Sequence, residues 1–266
     1  MFEFHKDKQR YFDMQRLVTQ DDIIPFIEQN TGECIGKRVL EIGCAEAGVL
    51  KAFIDKGNTG TGVELVTSRF EDAKIFLKQE LKDGKFLIFN KDIYDIADPK
   101  SEFGELFDII ILKDVIEHIP DQPKFINQLK LFLSPGGVIF FAYPPWWMPF
   151  GGHQQLCISK FLEKLPWFHL LPTFVYKLLL KTFGEGKATI DELINIKSTG
   201  IIIETLHKIL KKEKFEIISE QFWLINPIYR MKFGLKSRLV PSFFSSLPYL
   251  RNFYTTTHYI LFRLKE

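Results

Sequence analysis

The chain has 266 residues, 46% of them hydrophobic and 26% charged, with a formal net charge of +2. That balance excludes a disordered chain and a polyelectrolyte built to hold bulk nucleic acid, so no nucleic-acid partner is expected. Cys34, Cys44 and Cys157, odd in number and without a CxxC, exclude a disulfide framework and a structural zinc site and fit a reducing compartment.

The N-terminal stretch MFEFHKDKQRYFDMQRL is charged from its third residue and lacks the apolar core of a secretory signal, so a cytoplasmic location is expected. Short apolar runs then alternate with longer amphipathic segments, the rhythm of parallel strands joined by crossover helices. Strands are predicted at residues 38–42, 60–64, 85–90, 107–113 and 138–143, and helices at 46–56, 67–82 and 121–132. Thr67 reads as an N-cap, and Gly57 and Gly84 follow helix ends. After Tyr143 the rhythm breaks into 144–198, rich in aromatics, prolines and leucines. A helix at 199–212, a strand at 215–223, an irregular stretch at 225–255 and a strand at 257–264 follow. The expected architecture is an α/β Rossmann-like, seven-stranded, mostly parallel sheet flanked by helices. It forms a single domain with a core at 30–143 and 199–266, a lid insertion at 144–198 and a second insertion at 225–255.

The segment 39-VLEIGCAEAGVLKAF-53 carries a buried strand into a small-residue turn and then a helix, which lets a nucleotide-like ligand approach the backbone. About 20 positions on, the next strand 60-GTGVEL-65 ends in Glu64, whose carboxylate can accept from both hydroxyls of a ribose. The turn alone is weak evidence, since such turns also close βα units that bind nothing, and the lesser alternative for Glu64 is a solvated strand-end charge.

Over residues 37–143 the sequence resembles the class I S-adenosylmethionine-dependent methyltransferases. The later blocks 107-FDIIILKDVIEHIPD-121 and 133-LSPGGVIFF-141 are similar to that family's fourth and fifth strand motifs. The resemblance implies S-adenosylmethionine as cofactor and S-adenosylhomocysteine as product. It places Glu41, Gly43 and Ala45 by the methionine part and ribose, Glu64 with Leu65 at the ribose, Asp92 with Ile93 at the adenine, and Lys113 at the pocket edge. The family's turn usually has glycine where this chain has Ala45 and Ala47, so the turn must be right-handed there or bear strain.

The acceptor is expected to be a small molecule, methylated on oxygen, with His153 or His118 managing its proton. His118 follows the fourth strand and also reads as a packing or capping residue. His153, in 143-YPPWWMPFGGHQQ-155, follows the fifth; Gly151 and Gly152 are expected to make its approach mobile, and Tyr143, Trp146, Trp147 and Phe150 to wall the substrate. Asp114, Glu117, His118 and His153 could instead offer carboxylates and imidazoles to a divalent metal, as similar sets do in some ubiquinone-pathway O-methyltransferases and small-RNA 3′-end 2′-O-methyltransferases. Asp114 and Glu117 also fit a place beside the cofactor pocket, and no metal ligand is assigned.

Residues 160–183 read as a packed lid or, alternatively, an interfacial membrane segment. No Asp or Glu occurs between Gln221 and Lys265, which predicts a positive face able to draw an anionic, sugar- or lipid-linked acceptor, or else a solvated basic rim. The rival functions are N- or C-methylation and a noncatalytic module that has kept the fold.

Overall fold

The computed structural model describes residues 7–265. Its eight strands are β1 (Arg38–Ile42), β2 (Thr59–Val63), β3 (Phe86–Phe89), β4 (Phe107–Lys113), β5 (Leu133–Tyr143), β6 (Phe215–Ile225), β7 (Arg238–Leu239) and β8 (Thr257–Leu264). They form one sheet in the order β3-β2-β1-β4-β5-β8-β6-β7. The first five pair in parallel, and β8 runs antiparallel between β5 and β6. The predicted seven strands are therefore present, with β7 added as a two-residue edge.

Alternate residues of the central strands go to opposite faces, as the period of two requires. Ile109 and Ile111 join Val39, Phe140 and Tyr259 on one face, while Ile110 and Leu112 join Leu40, Ile139 and Phe141 on the other. Helices cover both sides, which is why these strands read as unbroken apolar runs.

The helices flanking the first half are α1 (Lys8–Val18), α2 (Ile24–Thr31), α3 (Gly48–Asp55), α4 (Thr67–Phe76), α5 (Lys78–Lys82), α6 (Pro99–Phe103) and α7 (Gln122–Gln128). Two of them, α1 and α2, lie ahead of the expected core start at residue 30, yet Phe12, Val18, Phe26 and Ile27 are buried with β1 and β5. The predicted 67–82 helix is interrupted at Leu77, whose φ is −106° and whose side chain is fully buried. Thr67 is the first helical residue and not the cap: Val66 holds that place, and the Thr67 hydroxyl donates to Asn90 Oδ1 at 2.9 Å.

The 144–198 segment is less irregular than its composition suggests. It holds α8 (Thr173–Thr182) and α9 (Lys187–Thr199), and Leu162, Phe168, Tyr176, Leu180 and Leu193 give it a small core of its own. At about 1.5–3 kcal/mol for each such side chain, that core can hold the lid in shape. The next helix, α10 (Ile203–Lys212), starts four residues later than expected because α9 runs to Thr199.

One buried ring makes the lid acid-sensitive. His169 Nε2 donates to the Trp146 carbonyl (2.8 Å) and Nδ1 accepts from Gln154 Nε2 (3.0 Å), which fixes one neutral tautomer. Burial pushes its pKa down from 6.5 to about 4. The unfolded chain therefore takes up the proton first as the pH falls. The stability this ring contributes is complete above about pH 6.5 and is lost as the pH drops towards 4. Thermal melts between pH 7 and 4 should show the decline, and in His169→Gln the decline should be smaller by up to about 3 kcal/mol. Equal pH slopes for the two proteins would remove His169 as its source.

Candidate functional site

The strand order reverses between β1 and β4, so the loops leaving their carboxyl ends part and open a crevice. A cavity of about 590 Å³ lies there, a size suited to a small ligand. Its wall takes Glu41, Gly43 and Ala45 from the first turn, Glu64 from the end of β2, Lys113 and His118 from the exit of β4, and His153 from the lid. The structure thus brings together seven of the ten residues singled out in the sequence.

The other three stand elsewhere. Leu65 is two-thirds exposed, and Val66 takes the wall position beside it. Asp92 caps the short helix Ile93–Asp95, accepting from Tyr94 N at 3.0 Å, and Ile93 is buried in the core; neither lines the cavity.

The turn is built by backbone geometry. Gly43 has φ +72°, and a Cβ there would come within 2.7 Å of Val115 Cγ2. Gly48 lets α1 approach, since a Cβ would lie 2.6 Å from the Phe12 carbonyl. Ala45 and Ala47 have φ of 48° and 62°, so of the two conformations open to the alanines the turn takes the strained left-handed one. Glu64 locks it: Oε2 accepts from Ala45 N and Oε1 from Val66 N, both at 2.8 Å. Each oxygen keeps a further lone pair for a ligand. Glu41 is buried, its Oε2 has no hydrogen-bond partner among the described residues, and desolvation raises its pKa well above the usual carboxylate range.

At the exit of β4, Glu117 is buried with neither carboxylate oxygen partnered among the described residues. Desolvation, together with the Asp114 charge, pushes its pKa well up. The rings of His118 and His153 stack at 5.0 Å with an interplanar angle of 10°. His153 takes a left-handed conformation (φ 54°), and its Nδ1 also lacks a partner among the described residues. Burial, with some help from His118, lowers its pKa to about 4, so it is neutral at pH 7. One donor atom from each of Glu117, His118 and His153 falls within 4.8 Å of the others. Asp114, the fourth residue of the set considered from sequence, stays outside it and pairs with Lys113 Nζ at 2.5 Å.

Two expectations about the lid are corrected. Gly151 and Gly152 are buried and serve close packing: a Cβ would lie 2.5 Å from the Trp146 carbonyl at the first and 2.3 Å from His169 Cβ at the second. Nor do the four aromatics wall the cavity. Tyr143 is fully buried, with its hydroxyl 3.1 Å from His258 Nδ1; Trp146 packs on His169, Trp147 on Phe253, and Phe150 faces solvent.

Sequence reasoning missed Tyr11 and Phe12 of α1 and Glu192 and Ile196 of α9, all on the cavity wall. The signal in α1 was legible: Asp7 caps it by accepting from Arg10 N, and Phe12, Gln15 and Val18 recur at the spacing of one helix face. The lid is tied to the site directly, because Thr199 at the end of α9 donates to the Glu117 carbonyl at 2.6 Å.

A family model described as a methyltransferase domain matches residues 15–169. The ubiquinone biosynthesis O-methyltransferase of Actinobacillus pleuropneumoniae serotype 5b is 25% identical over 209 residues, covering 77% of this chain and 81% of its own. The protein of the same name from Idiomarina loihiensis is 28% identical over 158 residues, covering 53% and 63%. Among solved structures, the magnesium protoporphyrin IX methyltransferase of Synechocystis with bound SAH has a TM-score of 0.56 at 13% identity, covering 100% of this chain and 89% of that one. An S-adenosylmethionine-dependent methyltransferase from Clostridium acetobutylicum has 0.54 at 13%, covering 93% and 91%. At such identities the structural likeness is one of fold.

Proposed function

The chain belongs to the methyltransferase-domain family and is an S-adenosylmethionine-dependent methyltransferase, and from that premise we propose that it methylates a hydroxyl of a small, partly apolar acceptor. The observation that carries this reading is His153, which shares the cavity wall with the Gly43–Ala45 turn and has an Nδ1 unpartnered among the described residues, with the buried Glu117 carboxyl close by. A hydroxyl keeps its proton at neutral pH and needs such a group, whereas a neutral amine can attack without one. The relatives named as O-methyltransferases agree.

In this reading Glu41 takes a donor from the amino-acid part of the cofactor, Gly43 and Ala45 clear its approach, and the spare lone pairs of Glu64 hold the ribose hydroxyls. The acceptor oxygen attacks the methyl carbon in line, its O–C bond forms as the S–C bond breaks, and neutral His153 takes the proton. Lys232, from the acid-free stretch, lies with its ammonium 5.7 Å from the Tyr11 ring centre and keeps positive charge near the cavity, which favours an anionic acceptor.

A second reading has its own support, the convergence of Glu117, His118 and His153. One carboxylate and two imidazoles suit Zn²⁺ or Mn²⁺ better than Mg²⁺, and an imidazole held neutral is ready to ligate. Bound there, such a cation would supply Lewis acidity to lower the pKa of the acceptor hydroxyl.

The test is methyl transfer from labelled S-adenosylmethionine to paired hydroxy and amino compounds bearing apolar tails, with products read by mass spectrometry. Methyl ethers are expected; methylation of the amines alone would overturn the oxygen assignment. Activity lost to a chelator and restored by Zn²⁺ or Mn²⁺ would establish the cation, and unchanged activity would dismiss it.

A further inference from the structure

We propose that the two insertions form one surface that docks on an anionic lipid bilayer. The inference goes beyond methyl transfer and starts from α8. Tyr176 and Leu180 on its inner side are fully buried in the lid core. Phe174 and Leu178 on the outer side are 75% and 64% exposed. Lys177 and Lys181, at one-turn spacing on that same outer side, are exposed with them. A helix already packed on one face has no need of a second apolar face, and large exposed side chains so grouped mark a contact surface.

The second insertion continues it. The Trp167 indole donates to the Trp147 carbonyl at 3.1 Å, and the Trp147 ring in turn lies 5.4 Å from Phe253 and 6.2 Å from Tyr249. Trp167 and Tyr249 are both more than two-fifths exposed, and Phe243, from the same insertion, is 69% exposed. The sheet explains the adjacency. Because β8 runs antiparallel to both β5 and β6, the segments that follow β5 and β6 leave from the same edge.

Charge selects the occupant. Residues 158–183 hold four lysines against the single acid Glu163, and residues 225–255 hold basic residues and no acid. Lys236 and Arg238, beside the exposed Leu235 and Leu239, form no ion pair among the described residues, whereas Arg230 is paired with Asp21 and Asp22 and Arg251 with Glu204. Lysines around aromatic and aliphatic side chains match a layer of anionic headgroups over acyl chains, with the lysine stems lying along the boundary. A second copy of the chain would bring like charges together across a two-fold axis. No helix among the described residues is long and apolar enough to cross a membrane, so the contact is peripheral. The insertion that presents this surface also supplies His153, Gln155 and Leu156 to the cavity wall, so an acceptor with an apolar tail could enter from the lipid.

The test is cosedimentation of the full chain with vesicles of phosphatidylcholine containing about one-third phosphatidylglycerol, beside vesicles of phosphatidylcholine alone. Binding to the anionic vesicles, weakened by salt, is expected, and Phe174→Glu/Leu178→Glu should reduce it roughly tenfold or more. Titration with S-adenosylhomocysteine and thermal melting should be unchanged in that variant, which keeps a folding defect apart from a docking defect. Failure of the wild type to sediment with anionic vesicles, or equal binding by wild type and variant, would overturn the proposal. So would a concentration-dependent dimer without vesicle binding, which would assign the face to a second copy. None of these measurements involves methyl transfer, so their failure and that of the hydroxyl reading are separate results.

Discussion

Replacing Glu64 by alanine is expected to weaken binding of S-adenosylmethionine and S-adenosylhomocysteine by about 10²- to 10⁴-fold, from the loss of two charge-assisted hydrogen bonds to a ribose worth roughly 1.5–3 kcal/mol each. The same carboxylate accepts from Ala45 N and Val66 N, so the variant also frees the backbone donor that keeps the turn in place. A fall in thermal stability of about 1–3 kcal/mol should accompany the loss of affinity. Calorimetric titration with S-adenosylhomocysteine, together with a melting curve, separates the two effects. Wild-type affinity in a folded Glu64→Ala protein would end the ribose assignment.

The second large effect is expected on turnover. His153→Ala should lower kcat by about 10²- to 10⁴-fold, the usual contribution of a positioned proton acceptor, and Glu117→Gln, which alters the carboxyl beside that imidazole, should lower it less, both with little change in cofactor affinity. The pH dependence carries a sign. The active imidazole is the neutral one, and with a pKa near 4 in the folded protein it stays neutral across the mid-acid range. The acid limb of kcat should therefore fall well below the ordinary histidine region near 6.5. Turnover in the variants within threefold of wild type would place the proton transfer elsewhere. Loss of cofactor affinity together with kcat would make the two residues supports of the pocket.

The sheet was legible because its strands are buried on both faces and so appear as apolar runs bounded by turns. The expected strands 38–42, 107–113 and 257–264 coincide with β1, β4 and β8. The grouping of the residues proposed for the cofactor was legible for a related reason: close backbone approach demands small residues at fixed spacing, and Gly43, Ala45 and Glu64 do meet at one wall. The acceptor side was harder. Tyr143, Trp146 and Trp147 looked like a substrate wall from composition, but an aromatic run says nothing of direction. The Tyr143 hydroxyl meets the buried His258, Trp147 braces the first insertion against Tyr249 of the second, and Trp146 packs on His169 within the first. Gly151 and Gly152 were ambiguous in the same way, since glycine serves close packing as readily as motion. His118 and His153 meet across 35 residues of chain, and only the docking of the lid on the β4 exit brings their rings face to face.

The left-handed pair Ala45 and Ala47 has a consequence for how the enzyme would respond to an empty pocket. A glycine turn is free to wander when the ligand leaves and has to be ordered again at the next encounter. Alanine methyl groups remove most of those alternative shapes, and the contacts from Glu64 and from the Cys44 carbonyl to Ala47 N hold the one that remains. The strain is met once, when the chain folds, so the seat proposed for the cofactor would keep the same shape from one catalytic cycle to the next.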